Sequence, residues 1–208
     1  NVKGLLLGEA KDYVRRIYEG FEDAGYYCQH WLLDAQKMGV PQRRERVFFI
    51  CLRKDLATPF LVMQSLFNDV PKLDLDFKEA PIMFSDVVAG VGREIKSKEM
   101  RKRWESRLPT DDDFGDVTTR LYGRRLTFNT QFAFLDRVCN TLAGKEDSTV
   151  HYDKPFYLST QEVTTIATFP QDYNFAGNKP HYVCGMSVPP VMMAQVASRI
   201  WEQWLSKI

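Results

Sequence analysis

GVPQRRERVFFI, Gly39 to Ile50, joins a constrained turn to the start of a nearly continuous apolar run. Gly39 and Pro41 set the turn. Once the chain extends beyond it, successive side chains point to opposite sides, so Gln42, Arg44 and Arg46 share one side while Arg43 and Glu45 take the other. Two guanidinium forks and an amide that converge at a sheet edge suit a phosphate, a carboxylate or the acceptor oxygen of a base. RVFFICL, Arg46 to Leu52, is rich in Val, Phe and Ile and reads as a strand covered on both faces.

Working outward, EAKDYVRRIYEGFEDA (Glu9 to Ala24) repeats apolar side chains at Val14, Ile17 and Phe21, a helix with one packing face, and Gly25 stops it. YYCQHWLL, Tyr26 to Leu33, reads as extended. Helix, strand, short turn and buried strand are the grammar of a layered α/β sheet. After Leu56 the composition changes for about 100 residues, far more than a connection between core elements needs. This stretch holds REIKSKEMRKRWESR (Arg93 to Arg107), with seven Lys or Arg against three Glu and a net charge of +4. RLYGRRLTFNTQF follows from Arg120, adding Arg124, Arg125, Asn129 and Gln131, a mixture able to contact phosphates and base edges. A solvated helix face is the plain alternative for the basic stretch.

Order returns at Leu158. Ser159 and Glu162 have capping-box spacing, and the helix they open ends near Phe169, before Pro170. YVCGMSVPP, Tyr182 to Pro190, offers a close turn at Gly185, then Ser187 and Val188 leading into the last helix. There the Ser187 hydroxyl either caps that helix or receives a polar ligand. Met192, Val196, Ile200 and Trp204 line one side of that helix, with Met193 and Ala197 widening it.

The whole chain has 208 residues, with 28 Lys and Arg against 27 Asp and Glu, a formal charge of +1. Any surface for nucleic acid is therefore local. No stretch approaches the roughly 18 apolar residues of a membrane span, and the N-terminus lacks the pattern of a secretory signal. Cys28, Cys51, Cys139 and Cys184 form no Cys-x-x-Cys pair, which argues for reduced thiols and against a zinc site or any other metal.

GVPQRRERVFFI resembles the Q-x-R-x-R motif of the DNA cytosine-5 methyltransferases. LSTQE, then ATFPQDYNFAG, then YVCGMSVPP are similar in order and spacing to that family's last two motifs, and NVKGLL resembles the residues following the glutamate of its E-N-V motif. The resemblance implies an α/β fold, a partial S-adenosylmethionine-dependent methyltransferase (Rossmann-like) sheet with an inserted, irregular target-recognition domain. It divides the chain into catalytic core over 1–55, target recognition over 56–155, and the closing segment and final helix of the core over 156–208.

The resemblance also implies a chemistry. In the family, a Pro-Cys thiolate adds to C6 of a cytosine flipped out of duplex DNA, the glutamate assists at N3, and C5 takes the methyl group from S-adenosylmethionine. On this chain Arg46 would hold the cytosine near O2, with Gln42 and Arg44 organising the same pocket and its phosphate side. Asn1, Ser187 and Val188 would lie toward the cofactor. Lys98, Arg101, Lys102, Arg103, Arg120, Arg124 and Arg125 would meet DNA. Two positions depart from the pattern: Met186 stands where the final motif has asparagine, and Tyr157 where arginine often precedes Leu-Thr. None of the four cysteines follows proline, so the implied partners are double-stranded DNA and an N-terminal catalytic half, in the same parent chain or as a separate subunit. The implied setting is cytoplasmic, bacterial or phage-encoded. A non-catalytic DNA-binding or regulatory subunit, and an RNA cytosine methyltransferase of the same fold, are the competing expectations.

Overall fold

A computed structural model of the chain describes residues 2–65, 68–90, 92–125 and 130–208. In chain order its helices and strands are α1 (Lys11–Asp23), β1 (Tyr26–Asp34), β2 (Glu45–Arg53), α2 (Lys54–Ala57), β3 (Leu61–Ser65), β4 (Asn68–Pro71), α3 (Lys98–Glu105), α4 (Phe114–Tyr122), β5 (Gln131–Ala133), β6 (Thr149–His151), α5 (Thr160–Ile166), α6 (Pro180–Met186) and α7 (Pro190–Gln203). They gather into two units, one of Asn1–Asp34, Glu45–Lys78 and Met193–Ile208, the other of Ala35–Arg44 and Glu79–Met192. Each unit draws on all three of the stretches 1–55, 56–155 and 156–208.

In the first unit β1 pairs antiparallel with β2 in unbroken register, from Tyr26 opposite Arg53 to Asp34 opposite Glu45. α1 ends where the periodicity predicts, with Gly25 at φ +83 supplying the left-handed turn. It packs on the hairpin through aromatic edges. The Tyr18 ring meets His30 and Phe49 at 5.8 and 6.3 Å, and its hydroxyl lies 2.6 Å from His30 Nδ1. Val14 and Ile17 are half-buried, whereas Phe21 is exposed and touches the Tyr26 ring edge-on. In β2, Val47, Ile50 and Leu52 are buried but Phe48, Phe49 and Cys51 only partly so. The expected cover on both faces is absent among the described residues, because a sheet of two strands has too few neighbours to supply it. Farther along, Leu73, Leu75 and Phe77 alternate into the core of this unit. Trp204 donates from Nε1 to Lys72 O (2.8 Å), and the Gln203 amide both donates to and accepts from the Asp74 backbone.

In the second unit α4 begins at an Asp113 cap that accepts from Asp116 N, and the three-residue strands β5 and β6 run parallel. One apolar cluster gathers Phe84, Leu142, Leu158, Val163, Ile166 and Cys184, and another gathers Ile95, Phe114, Phe132 and Val150. α5 carries the capping box its sequence predicts: Glu162 N donates to Ser159 Oγ (3.1 Å), and Ser159 N donates to Glu162 Oε2 (2.7 Å). α6 is a helix where the sequence reads as a turn, started by Pro180 in its first turn. In α7, Met192 and Val196 are buried and Ile200 half-buried, but Met193 and Ala197 are exposed, so the apolar stripe is narrower than expected. Among the described residues no helix is long and apolar enough to cross a membrane.

Glu162 is fully buried with His151 Nε2 at 3.2 Å. Burial alone would push its carboxyl up; hydrogen bonds with His151 and Ser159 outweigh this and hold it below the usual glutamate range. A carboxyl lower in the folded than in the unfolded state stabilises fully above its unfolded value, and that contribution is lost as pH falls through the folded one. Glu162→Gln is expected to cost about 2 kcal/mol at neutral pH and to flatten the acid limb of the stability profile. Urea unfolding across a pH series checks this, and a variant with an unchanged acid limb would refute it.

Candidate functional site

The turn that opens the Q-x-R-x-R stretch is built by Gly39 at φ +73 and by a short bond from Gln42 N to Val40 O (2.7 Å). Beyond it the alternation holds: Gln42 and Arg44 are 0% and 1% exposed, and Arg43 faces solvent. The two buried side chains lie inside the second unit, not at a sheet edge. Arg44 Nη1 donates to Gln42 Oε1 and Leu142 O, both at 3.2 Å, and Nη2 donates to Gly185 O at 2.7 Å. The backbone is laced alongside: Arg43 N donates to Cys139 O (2.8 Å), Leu142 N to Gln42 Oε1 (3.4 Å) and Thr141 Oγ1 to Arg43 O, while the Arg43 guanidinium reaches Asn140 Oδ1. Gly185 completes the junction, since a Cβ there would sit 2.4 Å from Ala143 C and Gly144 N. The segment 139–144 escaped the sequence reading because its main acceptors are carbonyls, which every residue has.

Arg46 differs from its two motif partners. It stands on β2 opposite Leu33, half-buried, with Nη1 donating to Glu45 O at 2.7 Å, and burial lowers its pKa from the usual arginine value. Of the three motif side chains it alone keeps surface for a ligand. A guanidinium in that state remains a fork of donors for an acceptor oxygen.

Ser187 is the C-cap of α6, and its hydroxyl donates to Val183 O at 2.6 Å. The reading that it starts the last helix is therefore corrected: the hydroxyl closes the helix before it. Val188 is half-buried and Met186 is 65% exposed. Asn1 lies outside the described residues, as does Asn129. Burial pushes all four thiols up: Cys51 and Cys139 to about 12, Cys184 to about 11, and Cys28 in the same direction. Such thiols are poor nucleophiles near neutral pH.

The basic side chains fall on α3, on α4 and just after it. Lys98 and Arg124 are exposed, and the Lys102 ammonium sits 5.9 Å from the Tyr122 ring. Arg101 bridges Glu94 and Glu105 (3.1 Å each), Arg120 pairs with Asp111 (2.7 Å), and Arg125 pairs with Asp113 and Asp116 (2.5 and 2.6 Å). Arg103 Nη1 contacts Met100 Sδ at 3.1 Å. Arg107, counted in the +4 stretch, lies between the Trp104 and Tyr152 rings, 3.5 and 4.7 Å from their centroids. Local carboxylates and rings thus take up part of the charge that the sequence displays.

The model of the C-5 cytosine-specific DNA methylase family matches residues 1–202. The Type II methyltransferase M.NgoFVII of Neisseria gonorrhoeae is 24% identical over 216 residues, covering 96% of this chain and 56% of that protein. M.BsuRI of Bacillus subtilis, also a Type II methyltransferase, is 24% identical over 220 residues, 96% of this chain and 48% of its own length. A solved structure, the putative DNA modification methyltransferase encoded within an E. coli prophage, aligns with a TM-score of 0.61 at 15% identity, over 98% of this chain and 68% of that one, which is a likeness of fold. The chain spans about half the length of the curated relatives it matches.

Proposed function

Because the chain belongs to the C-5 cytosine-specific DNA methylase family, we propose that it is the part of a DNA cytosine-5 methyltransferase that supplies target recognition and the arginine side of the base pocket. The observation that carries this is the division of labour within Gln42, Arg44 and Arg46: two side chains buried to hold backbone, one left with surface. In this reading Arg46 donates to O2 of a cytosine extruded from duplex DNA. Gln42 and Arg44 hold the turn that precedes it in the chain, and take no phosphate themselves because neither has exposed surface. Residues 56–155 are the recognition domain, with Lys98, Arg101, Lys102, Arg103, Arg120, Arg124 and Arg125 toward DNA.

S-adenosylmethionine is the methyl donor that family membership implies. The side chains this chain offers do not fit it on their own: the Ser187 hydroxyl is engaged by Val183 O, and Val188 brings no donor. Asn1, Ser187 and Val188 are each proposed to serve a cofactor pocket that an N-terminal half completes. The nucleophilic cysteine is assigned to that half as well, in keeping with the raised thiols here. The proposed setting is the bacterial cytoplasm, with the gene carried by the bacterium or by a phage.

Mixing the chain with the glycine-rich, Pro-Cys-bearing half of such an enzyme is expected to restore transfer of labelled methyl groups to duplex DNA. The chain alone is expected to transfer none. Transfer by the purified chain without a partner would overturn the assignment of the nucleophile, and a mixture that binds DNA yet stays inactive would favour a regulatory subunit.

A further inference from the structure

Cys28 and Cys51 stand directly opposite each other across the β1–β2 ladder. Lys54 N donates to Gly25 O, which sets the parity of that ladder. Odd-numbered residues of β1 exchange backbone bonds with their partners, and Cys28 with Cys51 is a pair of the alternate, non-hydrogen-bonded kind. In such pairs the Cα atoms come to about 4.5 Å, at the close end of the roughly 4.4–6.8 Å that a disulfide spans. The two thiols lie close enough to shift each other's titration, both are free, and both are only partly buried. Cys28 also lines a cavity of about 530 Å³ walled by Tyr18, Glu22, Tyr27, His30, Lys54 and Asp69, wide enough to admit a small oxidant.

We propose that Cys28 and Cys51 are a reversible oxidation site at which a hydroperoxide converts the facing thiols to a cross-strand disulfide. The Cys28 thiolate attacks a peroxide oxygen: an S–O bond forms, the O–O bond breaks, and the departing oxygen takes up a proton. Cys51, as thiolate, then attacks the sulfenic sulfur. The S–S bond forms, the S–O bond breaks, and the departing hydroxide becomes water by taking from the medium the proton that Cys51 released on ionising. The dithiol gives up two electrons and the peroxide receives them.

Cys28 is the sulfur oxidised first because it opens on the cavity. Burial raises both thiols, so oxidation is slow at neutral pH and quickens as the medium becomes alkaline. The titratable groups around the site are Tyr18 and Glu22 of α1, Tyr26, Tyr27 and His30 of β1, Lys54 of α2 and Asp69 of β4. A bridge between partly exposed cysteines stays within reach of a reducing thiol. It would staple the strand pair that carries Arg46, five residue pairs along the ladder from Cys28.

The test treats the intact chain with hydrogen peroxide, traps remaining thiols by alkylation after denaturation, and maps peptides without reduction. A Cys28–Cys51 linked peptide is expected, formed faster at higher pH and lost on adding dithiothreitol, while Cys139 and Cys184 are recovered as alkylated thiols. In Cys51→Ser, oxidation is expected to stop at a sulfenic or sulfinic Cys28. The proposal is overturned if both thiols survive conditions that oxidise exposed methionines, if the link forms between chains or to another cysteine, or if its rate is flat with pH.

Discussion

Arg46→Ala in the reassembled enzyme is expected to lower the rate of methyl transfer by about 10²–10³-fold while the affinity for target duplex changes little. The reason lies in when the contact is made. An arginine that meets O2 of the extruded base acts on the ring as electron density moves during attack, whereas duplex affinity is set by many phosphate contacts. Arg46→Lys is expected to recover part of the rate, since an ammonium can reach the same oxygen but lacks the planar fork. Single-turnover transfer of a labelled methyl group, beside equilibrium binding on the same duplex, separates the two effects. A wild-type transfer rate in Arg46→Ala would remove the residue from the base pocket.

The second large effect is one of stability. Arg44→Ala strips hydrogen-bond donors from Leu142 O, Gly185 O and Gln42 Oε1 in a place that water does not reach. Leaving buried acceptors without a charged donor is expected to cost roughly 3 kcal/mol or more. Arg44→Lys is expected to fall short of full rescue, because one ammonium cannot span acceptors that a guanidinium fork reaches in two directions. Urea denaturation of the chain reads this out, and a midpoint within error of wild type would show that the junction holds without the fork.

How much of this was legible in the sequence depends on which atoms carry the information. The α1 stop at Gly25, the capping box of Ser159 and Glu162, and the alternation of Gln42, Arg43 and Arg44 are local patterns of side-chain type, and each stands in the structure. The destination of Arg44 was not legible, because its partners are carbonyls about 100 and 140 positions away in the chain. Ser187 was misplaced by one helix, since Gly185 looked like a turn residue when its smallness serves a close approach to Ala143 and Gly144. The basic stretch was read by counting charges, and a count cannot see that Arg101, Arg120 and Arg125 have carboxylates within hydrogen-bond reach.

The junction at Arg44 also bears on how specificity can be exchanged. Arg43 and Arg44 grip the 139–144 segment through the carbonyls of Cys139 and Leu142, and α6 through that of Gly185. A carbonyl is offered by any sequence that follows the same path, so chimaeras that graft a foreign recognition segment need preserve the backbone course at these three points, the side-chain contacts of Asn140 and Thr141 with Arg43, and the missing Cβ at Gly185.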